Sequence, residues 1–489
     1  MSQLSSDKIA ILGGALFAII LSMSIYFEIL WLALVPAGLL MIWWGVKRMD
    51  LYIATILIVV PFSLNLQEFI PDATGLYMPT EPLLLCALLL FVVRSFSGWP
   101  VDKRLFRHPL TYVIGGMMLW LVITTLTSWD MVVSAKFTIS RAWFVVGFFF
   151  LLGHIMLNNP SYRERMVMYL LFPLAIVVVY TIIGHSEYGF SKHAGHWVMK
   201  PFFKDHTSYG AVLAMMLPPA IALTLNKDRA GITRVMLALA TSIISLGLIL
   251  SFTRAAWVSL VGVAAIYVAM RLGFKWKTLV GIGMLLLGAA FINQDSLLIE
   301  IQRNKQDSSD NLTEHVESIT NVSSDDSNLE RLNRWSCAVA LFQERPITGW
   351  GPGTYQFVYA PYQSSELKTV ISTNNADGGN AHSEYLGPLA EQGIPGMIFM
   401  LLLIWMSSVI AFRLYREMED KNARDFAVAI YLGLMTYFIH GVLNNYLDTD
   451  KASAPFWGFI ALLVVLDIEN TERKKCKNKN PSTKKVSTS

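Results

Sequence analysis

The chain has 489 residues, of which 54% are hydrophobic and only 15% are charged. An ordinary soluble domain is about 25% charged, so this composition argues against a water-soluble enzyme, a disordered protein and a coiled coil. The net charge of +4 does not indicate a nucleic-acid partner, and the basic residues are informative only through their positions.

Long apolar runs dominate the chain. A run of about 20 apolar residues spans the hydrocarbon core as a helix, which satisfies its own backbone hydrogen bonds there. We predict about 14 such segments, or about 12 if closely spaced pairs merge. The segments are 9–27, 28–46, 51–66, 80–98, 110–128, 140–158, 166–184, 209–226, 232–251, 255–270, 276–292, 384–412, 424–443 and 453–468. The predicted fold class is therefore all-α: a polytopic integral membrane protein of about 12–14 transmembrane helices.

The distribution of lysine and arginine predicts the orientation. About two thirds of the 39 basic residues fall on one side when both termini are placed in the cytoplasm, as the positive-inside rule requires. One long loop then lies outside. The predicted organisation is an N-terminal membrane domain of about 11 helices at 1–292, a large external loop with short helices at 293–383, C-terminal membrane helices at 384–468 and a basic cytoplasmic tail at 469–489.

Positive charges recur in two shorter outer loops. The first is an outer turn at the start of segment 140–158, and the second is the loop at about 185–208. The residues are Lys136, Arg141, Lys200, Lys204 and His206. They are candidates for contacts with phosphate or sugar, and membrane anchoring is the alternative role for the first two. His193 and His196 have a spacing compatible with zinc, but no clear fourth ligand accompanies them, so we expect no metal.

The turn SFTRAAW at 251–257 places Arg254 between two apolar helices at the outer edge of the membrane. A guanidinium at this depth is costly unless it is paired, so such an arginine is a candidate functional residue. The alternative is an arginine whose charge merely reaches the interface.

The long outer loop combines a spacer with structured segments. Residues 303–328 are polar and acidic, which is typical of a mobile spacer. Residues 329–344 have helical periodicity, and the tight turn GWGPGTY follows at 349–355. The stretch NNADGGNAHSEYLGPLAEQGIPG at 374–396 then re-enters the membrane. A long loop of this kind is usually functional or disordered.

Three of these motifs resemble the bacterial O-antigen ligase and O-antigen polymerase family of integral-membrane glycosyltransferases. They are SFTRAAWVSL at 251–260, ERLNRW with ERPITGWGPGTY between 330 and 355, and NAHSEYLGPLAEQGIPG at 380–396. The resemblance implies a GT-C-like, metal-independent enzyme without a cofactor. It implies transfer of a glycan from undecaprenyl diphosphate to an acceptor hydroxyl on the periplasmic face of the bacterial inner membrane.

The departing diphosphate gains negative charge, so catalysis requires cations directed at it. Arginine suits this role because its planar guanidinium binds phosphate in a bidentate manner. Arg254, Arg331 and Arg334 are the candidates. Arg331 and Arg334 lie three residues apart on one predicted helix, so both project to one side. The alternative for this pair is a solvated face paired with Glu330, and which of the two is essential stays open.

The acceptor hydroxyl loses a proton as it attacks, and an imidazole is the commonest group for that task near neutral pH. His382 is the candidate base, with a capping or packing histidine as the alternative. Tyr355 and Glu384 are candidates for sugar binding. Ordinary loop packing and structural ion pairing are the alternatives for these two residues.

The leading hypothesis is a ligase that transfers the glycan to lipid A core, with undecaprenyl-diphosphate-linked glycan and membrane lipids as partners. A polymerase of the same family, whose acceptor is a lipid-linked glycan, is the close alternative. A polytopic transporter or lipid flippase is the alternative from another class. It fits less well because the charged and glycine-rich features concentrate in one outer loop.

Overall fold

The computed structural model describes residues 35–70, 75–96, 102–229, 231–275, 326–365 and 379–479, together with a few isolated positions. The predicted segments 9–27 and 276–292 and the spacer at 303–328 lie almost entirely outside these ranges.

Helices make up nearly all of the described chain, which confirms the all-α class. The main helices are α1 (Val35–Lys47), α2 (Met49–Val59), α3 (Thr80–Phe96), α4 (Lys103–Phe106), α5 (Pro109–Leu126), α6 (Met131–Asn158), α7 (Tyr162–Ser186), α8 (Lys192–Gly195), α9 (His206–Leu225), α10 (Gly231–Leu250), α11 (Arg254–Arg271), α12 (Asp326–Glu344), α13 (Tyr355–Val358), α14 (Leu386–Glu417), α15 (Lys421–His440) and α16 (Asp450–Lys479). Eight helices of the described ranges are long and apolar enough to cross a membrane, and the apolar helix Met49–Phe62 is shorter. Each predicted segment within those ranges overlaps a helix, although segment 51–66 also includes a 3₁₀ turn and the strand Leu64–Asn65. The protein is therefore a multi-pass membrane protein.

Helix α6 begins earlier than predicted. Asp130 caps its start, because its carboxylate accepts hydrogen bonds from the backbone N–H groups of Val132 and Val133. Lys136 and Arg141 therefore lie on a helix, and the prediction of an outer turn at these positions was wrong. The start was predicted too late because the apolar run begins only after these two charges. The Asp130 cap allows the helix to begin at Met131, nine residues before position 140.

The last helix, α16, forms the centre of the bundle. Phe456, Trp457 and Phe459 on its different faces are all buried, as expected of a helix that is apolar all round. The helix runs to Lys479, so the predicted tail at 469–489 begins as a continuation of this helix.

Ionic contacts join α16 to its neighbours at one end of the bundle. Asp467 accepts hydrogen bonds from Arg413 at 2.6 Å and shares one with His108 at 3.0 Å, and Arg163 is paired with Glu469. Since burying an unpaired carboxylate is costly, these partners allow Asp467 to lie inside the bundle. We call this the far end, and the opposite end, which carries residues 326–365, the loop end.

A short hairpin lies at the loop end. Strand β1 (Leu64–Asn65) pairs antiparallel with β2 (Tyr77–Met78). Short 3₁₀ turns at Val60–Phe62 and Leu66–Glu68 flank β1. A further 3₁₀ turn, Ala360–Tyr362, lies much later in the chain, after α13. The hairpin leads directly into α3.

The turn at 349–353 is held against the start of α14. Gly349 has a φ of 66°, and a Cβ there would lie 2.3 Å from the backbone of Glu391. Gly393 interrupts α14 with a φ of 68°, and a Cβ there would lie 2.1 Å from the carbonyl oxygen of Ile347. Only glycine satisfies both the backbone angle and this close approach. The close approach is to protein backbone, so these glycines fix the loop on the membrane helices.

Candidate active site

A cavity of about 1000 Å³ opens among the segments at the loop end. Six regions that are distant in sequence line it: the β1–β2 hairpin with the start of α3, α6, the residues before and at the start of α9, the N-terminal half of α12, the chain just before α14, and the turn before α16 with its first residues. Among the predicted site residues, it is lined by Lys136, Lys204, His206, Arg331 and His382. A smaller cavity of about 230 Å³ shares Lys204, Asn380 and Asp448 with it. The fold therefore brings together five of the eleven residues selected from the sequence.

His382 occupies a constrained position at the cavity. Its φ is 47°, its N–H donates to Asn380 Oδ1 at 3.1 Å, and its carbonyl accepts from Trp335 Nε1 at 3.4 Å. A left-handed backbone is uncommon outside glycine, and the two hydrogen bonds hold His382 in this conformation. They therefore fix where the ring lies. Within the described chain, the imidazole makes no hydrogen bond, and it lines the cavity.

The electrostatic surroundings of His382 keep its ring neutral. Burial lowers the pKa of His382 to about 4, and the positive charges of Arg331 and Arg334 lower it in the same direction. Asp205 opposes this shift. A neutral imidazole is the form that accepts a proton.

Arg331 and Arg334 differ in environment, although they lie three residues apart. Arg331 is half-buried and lines the large cavity. Arg334 is only 4% exposed, its Nε donates to Glu330 at 2.6 Å, and its guanidinium lies 4.0 Å from the ring centroid of Tyr359. Among the described residues, Arg334 lines neither cavity. The expectation that both arginines hold the same group therefore does not match their placement.

Arg254 is the first residue of α11, and it is half-buried. The preceding residue, Thr253, donates a hydrogen bond from its hydroxyl to the backbone carbonyl of His206 at 2.8 Å. This contact joins the N-terminus of α11 to that of α9, at the edge of the large cavity. Arg254 itself is not among the described residues that line either cavity. The two helix N-termini add positive potential to this region.

Only some of the charged residues of the loop at 185–208 line the cavities. Lys204 is exposed and lines both cavities, and His206 stacks on His196 with ring centroids 4.3 Å apart. Lys200 is exposed but lines neither cavity within the described chain. These two lysines could not be distinguished from the sequence, because both lie in the same polar loop.

Arg141 and Glu384 hold the turn between α15 and α16. The guanidinium of Arg141 donates to the carbonyl of Leu447 at 3.0 Å. Glu384 Oε1 accepts from the backbone N–H groups of Tyr446 at 2.9 Å and Leu447 at 3.0 Å, and also from the Tyr437 hydroxyl. Burial raises the pKa of Glu384, and Arg141 opposes this shift. Both side chains line the smaller cavity. This geometry agrees with the structural pairing that was the alternative for Glu384.

Tyr355 is almost fully buried. Its hydroxyl donates to the carbonyl of Arg334 at 2.7 Å, and its ring stacks on Tyr359 with centroids 5.3 Å apart. With Cys337 and Leu341 it belongs to the small core of the loop segment. Its hydroxyl and ring are engaged within the protein, as in ordinary loop packing, and the residue also lines the smaller cavity beside Arg141 and Glu384.

The cavity also contains ionisable residues that are not among the predicted site residues. Glu68, Glu81 and Lys451 line it, together with Tyr77. Lys451 is a charge near the start of an apolar segment, which is a signal for function. Glu68 and Glu81 flank an ordinary loop in sequence, and only the hairpin places them at the cavity.

The fold and the cavity define a polytopic membrane protein with a histidine and several cations around one large cleft at the loop end. Residues 235–401 match a family model described as O-antigen ligase. This range includes Arg254, Arg331, Arg334 and His382. This part of the chain is similar to the O-antigen ligase family, which confirms the predicted resemblance. No curated protein matches the chain.

Proposed function

We propose that this protein transfers a glycan from undecaprenyl diphosphate to an acceptor hydroxyl on the periplasmic face of the bacterial inner membrane. The observation that carries the proposal is that His382 and Arg331 line one cavity, beside Lys136, Lys204 and His206. A base and a cluster of cations in a shared cleft are what a transfer from a diphosphate leaving group requires.

In the proposed step, the neutral imidazole of His382 accepts the proton of the acceptor hydroxyl. The hydroxyl oxygen bonds to the anomeric carbon, and the bond from this carbon to the diphosphate oxygen breaks. The polyprenyl diphosphate leaves with the electron pair. Attack from the side opposite the leaving group inverts the anomeric configuration.

The cations stabilise the departing diphosphate. Arg331 is the arginine that we assign to bidentate phosphate binding, and Lys204 and Lys136 add positive charge in the same cleft. Arg334 supports them indirectly, because its bonds to Glu330 and Tyr359 hold the helix that carries Arg331. Arg254, at the N-terminus of α11, is assigned to the diphosphate as it enters from the membrane. No metal ion takes part in this proposal.

Lipid A core is the proposed acceptor, which makes the protein a ligase. The test is reconstitution of the purified full chain in liposomes with a glycan on undecaprenyl diphosphate. Lipid A core and a second lipid-linked repeat are offered in separate reactions. Sugar gained by lipid A core supports ligation, sugar gained only by the second repeat supports polymerisation, and no transfer to either acceptor refutes the proposal.

Two controls sharpen the experiment. NMR of donor and product must report opposite anomeric configurations, and retention would refute direct attack by the acceptor. Addition of a chelator must leave the rate unchanged, and a loss that zinc or magnesium restores would refute the metal-free step.

A further inference from the structure

The wall of the large cavity that includes the β1–β2 hairpin carries its own set of charges. We call Glu68, Tyr77, Glu81 and Lys451 the hairpin wall. Glu81 is 5% exposed and Lys451 is 4% exposed, yet both line the cavity. Ionisable groups that are this deeply buried beside apolar helices are costly, so a functional role is the first expectation. Burial raises the pKa of Glu81 to about 8, so at neutral pH this carboxyl is mostly protonated.

Direct contacts within the protein hold Glu81, Tyr77 and Lys451 of the hairpin wall in place. Glu81 Oε2 accepts a hydrogen bond from the N–H of Tyr77 at 2.9 Å, which ties α3 to β2. Lys451 Nζ donates to the carbonyl of Ser63 at 2.8 Å and lies 4.9 Å from the ring centroid of Tyr77. The wall is therefore preorganised, which reduces the entropy lost when a ligand binds.

We propose that the hairpin wall is a sugar-binding subsite that accepts neutral and amino sugars and disfavours acidic sugars. The inference rests on the proposed function, since that function brings glycans into this cavity. The volume of about 1000 Å³ lies at the upper end of the range for small-molecule pockets. It therefore has room for sugar rings beside a diphosphate.

The chemistry of the wall determines this preference. Carboxylates accept hydrogen bonds from sugar hydroxyls and amines, and the amide of Gln67, which also lines the cavity, both donates and accepts. Glu68 is exposed and lines the cavity at this wall, so its charge repels a sugar carboxylate bound there. The cations Lys136, Lys204 and Arg331 belong to other walls of the same cavity, on α6, before α9 and on α12. Lys451 offsets this repulsion only weakly, because Asp450 Oδ1 lies 3.7 Å from its ammonium group.

The test measures binding of two probes of similar size to the purified full chain: the neutral disaccharide of N-acetylglucosamine and digalacturonic acid. Isothermal titration calorimetry is carried out at pH 7 and low ionic strength. We expect the neutral probe to bind tighter by a factor on the order of five. Glu68→Gln is expected to remove most of this preference.

Glu187→Gln is the matched control, since Glu187 is an exposed carboxylate that lines neither cavity within the described chain. It is expected to keep the preference of the parent. Equal affinity of the parent for both probes, no measurable binding, or equal behaviour of the two variants would overturn the subsite.

A second measurement separates this inference from the proposed function. His382→Ala removes the proposed base but is expected to retain the preference for the neutral probe. Retained preference without any transfer by the parent would refute the function and leave the subsite intact. If the parent does transfer glycan, Gln67→Ala is expected to raise one of the two KM values. A higher KM for the donor means that the subsite holds a donor sugar, and a higher KM for the acceptor means that it holds an acceptor sugar. If neither KM changes, the subsite is refuted.

Discussion

The pH dependence of glycan transfer is the sharpest test of the assignment of His382 as the base. An ordinary histidine has a pKa near 6.5 and loses its ability to accept a proton below neutral pH. In this protein, burial and the charges of Arg331 and Arg334 lower the pKa of His382 to about 4. The imidazole is thus expected to stay functional in moderately acidic solution.

The magnitude follows from the two pKa values. At pH 5.5, roughly 97% of an imidazole with a pKa of about 4 is neutral, against roughly 9% for the ordinary value. The transfer rate of the parent should therefore be nearly the same at pH 5.5 and pH 7.5. It should fall as the pH drops through about 4, because protonation removes the base.

The assay is glycan transfer at subsaturating donor, because kcat/KM reports the pKa of the free protein. It is measured between pH 3.5 and 8 on protein shown to stay folded by circular dichroism. Arg331→Gln removes a positive neighbour, so the pKa of His382 should rise and the acid limb should shift toward neutral pH. Lys200→Gln removes a charge outside both cavities and should leave the limb in place. A limb near pH 6.5 in the parent, or the same limb in parent and Arg331→Gln, would refute the reasoning.

Three further predictions address the roles of individual residues. Arg331→Gln should lower kcat by a factor of about 10²–10³ and leave the melting temperature unchanged. Arg334→Gln leaves the buried Glu330 without its cationic partner and should destabilise the loop segment by about 3–5 kcal/mol. Limited proteolysis of this segment compares the two variants, and equal protection would contradict the distinction between the two arginines. Glu384→Ala removes the acceptor of three hydrogen bonds and should lower the free energy of unfolding by about 3 kcal/mol. The measurement is the midpoint of thermal unfolding, with Glu187→Ala as the control. Equal midpoints for the two variants would argue against a structural role for Glu384. Asp467→Ala leaves Arg413 and His108 without their shared carboxylate and should lower the free energy of unfolding by about 3–5 kcal/mol. The measurement is thermal unfolding in detergent. A midpoint equal to that of the parent would contradict a stabilising role for this contact.

The membrane helices were predictable because their signal is local. An apolar run of sufficient length must form a helix in lipid, whatever surrounds it. The match of segment 166–184 to α7 and of 232–251 to α10 depends on this rule. The start of α6 was missed because two charges precede the apolar run, although the cap at Asp130 was present in the sequence.

The site was predictable only as a set of residue types. Helical spacing placed Arg331 and Arg334 on one side of α12, but their different roles depend on Tyr359 and on the partner Glu330. Lys204 lines the cavity and Lys200 does not, although they are four residues apart. Such distinctions depend on contacts between segments that are far apart in sequence.

The sequence by itself determined the all-α membrane fold and the resemblance to the O-antigen ligase family, since hydropathy and short motifs are properties of contiguous residues. Only the tertiary structure decided which charged residues share one cavity. That sharing arises because the hairpin, α6, α9, α12 and the segments before α14 and α16 meet at the loop end, where the buried side chains of Glu81 and Lys451 also find hydrogen-bond partners.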